Sequence, residues 1–166
     1  MTLEEFLRPL YQDLDGVSRF ESIERLGRIA RTLHPPSREL DLLILFSGLG
    51  KWLEKPRNLS RILLAVPGMS EEELKKTAAS IRRLENPDSE MERAVAAAMM
   101  IDAAGLLGLA QSLADARREG NSIADVARQE PPPIPEWMSQ QARDWILQRR
   151  EERARFCRRI LDELGC

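Results

Sequence analysis

Helix-start signals recur from one end of this chain to the other, and no stretch alternates with the period-two rhythm of a strand. Thr2 with Glu5, Ser18 with Glu21 and Ser70 with Glu73 each form a capping box, a hydroxyl three residues ahead of a glutamate. Behind each lie apolar residues at helical spacing: Leu3, Phe6, Leu7, Leu10 and Leu14; then Ile23, Leu26, Ile29, Ala30 and Leu33; then Leu74, Ala78, Ile81 and Leu84. There is no Asn-Gly hairpin signal and no repeat of 20–50 residues. The pattern predicts an all-α fold, a single compact helical bundle.

The breaks between helices are equally legible. Pro9 is expected to kink or split the first helix. His34-Pro35-Pro36 ends the second, because a residue before proline is pushed out of the α region. Ser37 caps a third helix in which Leu42 to Phe46 are apolar on every side, a pattern that predicts burial all round. Residues Lys51 to Asn58 read as a turn, and Ser60 to Val66 as a short helix before the Pro67-Gly68 turn. Asn86-Pro87 closes the helix behind Ser70, and Ser89 caps the next. Met91 to Arg118 reads as one long helix or two broken near Asp102, stopped by Gly120-Asn121. A short helix follows over Ser122 to Gln129, then a stiff proline connector at 131–135. The last helix is expected from about Glu136 to Glu163, with Met138, Ala142, Trp145, Ile146, Phe156, Ile160 and Leu164 on its core face.

With 166 residues the chain is sized for one domain, and it needs neither disulfide nor metal to hold a core. Cys157 and Cys166 fit free thiols in a reducing, cytoplasmic compartment. The acidic first residues do not look like a signal peptide. The uncharged run Ala94 to Ile101 falls far short of the ~20 residues of a membrane span. A single histidine, His34, excludes any mechanism that needs two imidazoles, and its place before two prolines reads as a helix cap.

The stretch from Leu42 to Lys51, an apolar helix ending in a small-residue turn with Gly and Lys, resembles the core of the HD-domain phosphohydrolase superfamily. Phe46, Leu49, Gly50 and Lys51 keep that pattern, while Ser47 and Gly48 occupy the His-Asp positions. The family's first metal-binding histidine would fall at about Ser22, and its second ligating aspartate at Ala97. Asp102 and Gly105 align with the closing acid and glycine of the family's downstream segment. The likeness covers roughly residues 20 to 112.

The resemblance implies an HD-like bundle from which the metal chemistry has been lost. Serine is a poor neutral ligand, and glycine and alanine offer none, so Ser22, Ser47, Gly48 and Ala97 are vestigial metal positions. Without a metal to acidify bound water there is no hydroxide nucleophile. The expectation therefore leans away from an enzyme: a catalytically inactive HD-like protein with no cofactor, binding an unidentified small molecule or protein partner in a regulatory role. The alternative is an HD-type phosphohydrolase acting on nucleotides or phosphate esters through non-standard residues.

Lys51 and Asp102 are the candidate ligand-binding residues. Each has a plainer reading: Lys51 as a solvated cation at a helix C-terminus, Asp102 as an N-cap or structural partner. Gly48, Gly50, Gly105 and Gly108 match no phosphate-binding motif, and close helix packing is the simpler account. Asp88, Glu90 and Glu92 read as first-turn acids. Arg143, Arg149, Arg150, Arg153, Arg155, Arg158 and Arg159 concentrate positive charge late in the chain, but the formal net charge is −2. A domain-wide basic footprint for nucleic acid is missing, and a solvated helix face is the expectation. Ala97, Met99 and Met100 are expected to fill the old pocket with apolar side chains.

Overall fold

In the computed structural model, residues 1–11 and 20–165 are described. Among them are ten α-helices, one 3-10 turn and no strand. The chain groups into two compact units, Met1–Ala98 and Met99–Cys166.

In the first unit, α1 (Leu3–Leu7) starts on the Thr2 capping box and gives way at Pro9 to a 3-10 turn over Arg8–Tyr11. The expected Ser18 box lies outside the described residues, although α2 (Phe20–Leu33) follows it as read. The Ser37 hydroxyl accepts from Leu40 N–H and opens α3 (Arg38–Phe46). Leu42, Leu43, Ile44 and Phe46 are buried and Leu45 half-buried, so the helix expected to be enclosed is nearly so. It packs against α2 on one side and α6 (Glu71–Arg82) on another.

The segment expected to turn from Lys51 to Asn58 is instead helical, as α4 (Gly50–Leu53) and α5 (Pro56–Ala65). Pro56 opens α5 rather than breaking it, because the first helical position needs no N–H and favours proline's fixed φ. The buried Asn58 amide donates to Trp52 O at 2.7 Å and ties the two helices together. Gly68, at φ 81°, makes the turn into α6, and Arg38 donates to its carbonyl at 2.7 Å.

The sequence stretch Met91 to Arg118 forms two helices, α7 (Glu90–Ala104) and α8 (Leu106–Glu119), with the unit boundary inside α7. In the second unit, α9 (Ile123–Arg128) starts on a Ser122–Asp125 capping box. The last helix, α10 (Gln140–Leu164), begins four residues later than expected, because the Ser139 hydroxyl takes the cap position and accepts from Ala142 N–H. It packs on α8 and α9. Its core face is also shifted. Ala142, Ile146 and Cys157 are buried, whereas Phe156 and Leu164 are 45% and 50% exposed. Phe156 sits one residue, about 100°, off the buried stripe.

Candidate functional site

The expected vestigial metal positions lie in the first unit. Ser22 is half-buried on α2, where its hydroxyl oxygen accepts from Arg25 Nη2 at 3.0 Å. Ser47 closes α3 and donates back to Ile44 O at 2.8 Å. Ala97 is buried inside α7. Gly48 lies against the Tyr11 ring, and a Cβ there would stand 2.8 Å from Tyr11 Cε1. The Tyr11 hydroxyl donates to Leu45 O, and burial pushes the phenol well above its usual range. Phe20 stacks edge-on against the same ring, with centroids 5.8 Å apart.

These residues do not fit a divalent metal. Both serine hydroxyls are engaged in local hydrogen bonds, the remaining two positions carry no donor, and a tyrosine ring fills the space beside Gly48. Among the described residues, no three His, Cys, Asp or Glu side chains are grouped to hold a metal ion. Lys51 is exposed on the single turn of α4.

Asp102 belongs to the second unit, half-buried in the last turn of α7. The expected cap from Asp102 onto the next helix is not formed: Gly105 takes that position and no side chain caps α8. The glycines do serve close packing. A Cβ on Gly108 would stand 2.2 Å from Ala103 O and one on Gly50 would stand 2.8 Å from the Ile81 side chain.

The most strongly held ionisable group is Glu92, which the sequence reading placed among ordinary first-turn acids. It is 1% exposed. Its Oε2 accepts from Asp88 N–H and Ser89 N–H at 3.0 and 3.3 Å, and Arg83 Nε donates to Oε1 at 3.0 Å. Burial pushes this carboxyl up, but Arg83 and the hydroxyl and amide donors outweigh it and hold the pKa at about 2. The signal was present as Ser89-x-x-Glu92, a fourth capping box. With every lone pair directed at a local partner, Glu92 fixes the start of α7 and is not poised for chemistry.

The open site lies elsewhere, along α10. A groove of about 640 Å³ runs between α10, the end of α7 and the proline connector. That volume is within the range of small-molecule sites. From α10 it is lined by Arg150, Arg153, Ala154, Cys157, Arg158 and Leu161. These fall at three- and four-residue spacing on one face, about 16 Å along the helix axis. Met99 and Met100, expected as infill of the old pocket, line this groove instead.

No counterpart to this chain exists among protein-family models, curated proteins or solved structures at a significant level of similarity. The site must be read from its own chemistry.

Of the seven arginines expected on a solvated face, Arg155, Arg158 and Arg159 are exposed, whereas Arg143, Arg149, Arg150 and Arg153 are engaged with backbone. Arg149 Nη1 donates to Ile101 O at 3.3 Å and Arg153 Nη1 to Ala103 O at 3.0 Å, satisfying acceptors that the end of α7 leaves open. Arg150 Nη2 donates to Pro132 O, and Arg143 Nη2 to Pro135 O, which fastens the connector onto α10. Carbonyls neutralise no charge. Among the described residues no carboxylate pairs with Arg150, Arg153 or Arg158, and Glu130 is the one acid on the groove wall. Arg150 Nε is buried with no hydrogen-bond partner, and burial pushes this guanidinium below its usual range.

Proposed function

We propose that this protein is a catalytically inactive binding module, HD-like in descent, whose groove along α10 takes an anionic ligand. The observation that carries the reading is a groove with methionine, alanine and leucine on its walls and three arginines that have no carboxylate partner among the described residues. Cations that reach a groove without a carboxylate beside them favour an anionic occupant. The kinship with HD phosphohydrolases rests on Phe46, Leu49, Gly50, Lys51, Asp102 and Gly105 and their spacing. The donor-poor set Ser22, Ser47, Gly48 and Ala97 supports a role without metal-assisted hydrolysis.

The test uses 1-anilinonaphthalene-8-sulfonate, an anionic apolar probe, on protein whose near-ultraviolet circular dichroism is native. One probe is expected to bind per chain, and Arg150→Gln or Arg153→Gln to weaken it about tenfold or more. Binding that ignores both substitutions would overturn the reading. Turnover of phosphate esters that rises with added manganese would select the hydrolase alternative instead.

A further inference from the structure

The geometry points to a single-chain amphiphile with an anionic head, such as a medium-chain carboxylate, as the ligand class of the α10 groove; this inference rests on the binding reading above. Arg150 and Arg153 stand one helical turn apart, and both reach the groove. Each is tethered through one terminal nitrogen to a backbone carbonyl, Pro132 O and Ala103 O respectively. Each guanidinium has further N–H donors beyond its tethered nitrogen, and among the described residues neither is paired with a carboxylate. A carboxylate presents two oxygens in the spacing that a guanidinium fork accepts, so the head belongs at this pair.

Beyond the pair the groove turns apolar. Ala154, Cys157 and Leu161 continue the same α10 face, opposite Met99 and Met100. Small side chains at 154 and 157 leave the depression, while the unbranched methionines adapt to a chain of variable shape. A free inorganic anion would leave this wall uncovered, and a neutral hydrocarbon would leave the arginines unanswered. A ligand that joins both halves satisfies both. Glu130, the one acid on the wall, repels a second negative charge and favours a monoanionic head over a more highly charged one.

The experiment is isothermal titration of the full chain with dodecanoate below its micellar concentration, together with displacement of the bound sulfonate probe. Acetate and methyl dodecanoate are the comparison ligands. Dodecanoate is expected to bind one to one and to displace the probe. Acetate is not expected to do so at matched concentration, and the neutral ester is expected to bind at least about tenfold more weakly. Each methylene removed from the chain is expected to weaken binding about fourfold. Ala154→Trp, which fills the groove, is expected to abolish binding. Arg153→Lys keeps the charge without the fork and is expected to lose part of the affinity, which holds the test open should the tryptophan variant not fold.

A probe that binds and responds to Arg150→Gln, but is not displaced by dodecanoate, would overturn this inference and leave the binding reading standing. Equal affinity for acid and ester would overturn the assignment of the head to the arginines. Dodecanoate that binds only by driving self-association, seen in sedimentation, would overturn the groove as its site. Loss of probe binding altogether would remove both the inference and the reading beneath it.

Discussion

The two units handle apolar surface in opposite ways. In the first, the large side chains point inward: Phe20, Phe46, Leu40, Leu43, Leu53, Ile62 and Leu74 are all essentially enclosed. The second also encloses Ile101, Met138 and Ile146, but leaves more large apolar side chains open than the first, where Leu64 is the main exception. Leu109, Ala116, Val126 and Cys157 make one cluster, with Leu113 and Ala127 packed against it. Leu106, Leu107, Ile123, Leu147 and Phe156 stay substantially exposed. Charge is divided in the same way. The first unit encloses a carboxylate and answers it with Arg83 and the start of α7, whereas the second tethers Arg150 and Arg153 to carbonyls, with no carboxylate pairing them among the described residues. A buried carboxylate answered by local donors holds the start of a helix and is closed to a ligand. A unit that leaves a groove and cations open is suited to a ligand.

The comparison is broken most forcefully at Phe46. Phe46→Ala, at a site with no exposure, is expected to destabilise the protein by about 3–5 kcal/mol in urea unfolding. Phe156→Ala, at 45% exposure, is expected to change it by less than about 1 kcal/mol. Equal effects would mean that the two units do not differ in how they enclose apolar groups.

Glu92→Gln comes next. It keeps the shape but removes the buried charge paired with Arg83, which retains only a longer 3.7 Å contact with Asp88, and a loss of about 3 kcal/mol is expected. Its pH dependence follows from the pKa. The folded value of about 2 lies below the ordinary 4.5, so the contribution is complete above 4.5 and is lost as pH falls toward 2. Wild-type stability should therefore fall over that interval, and the Gln variant should show a flatter acid limb in thermal melts. An unchanged limb would mean that the carboxylate is not held as described.

A third test addresses the second unit. Gly108→Ala puts a methyl 2.2 Å from Ala103 O, a backbone atom that cannot swing aside. A loss of about 1–3 kcal/mol is expected, with amide exchange accelerating in α8 and α9 before α3 and α6. The smallest effect is expected at Arg158→Gln. No ion pair is lost there, so stability should hold within about 0.5 kcal/mol while affinity for the anionic probe falls.

How much of this was legible follows from what each signal depends on. Capping boxes at Thr2 and Ser70, and proline stops after His34, act within a turn or two of chain, and they appear where the residues place them. The turn expected over Lys51 to Asn58 is helical instead, since proline forbids a helix interior but favours a helix start, and Asn58 reaches back to Trp52 O across the break. The HD-like spacing drew attention to Ser22, Ser47, Gly48, Ala97 and Lys51, yet the groove lies along α10. Its arginines were visible as a charge cluster. That they would be pinned to the carbonyls of Ile101, Ala103 and Pro132 was not, since the partners lie 48, 50 and 18 residues away in sequence.

The sequence by itself determined the helical class, the caps and most of the breaks, because each is a local contest between neighbouring backbone and side-chain groups. Only the tertiary structure decided where apolar surface would be enclosed and where it would be left open. Burial depends on which faces meet across distant segments, and a shift of one residue on α10 separated a buried Cys157 from an exposed Phe156.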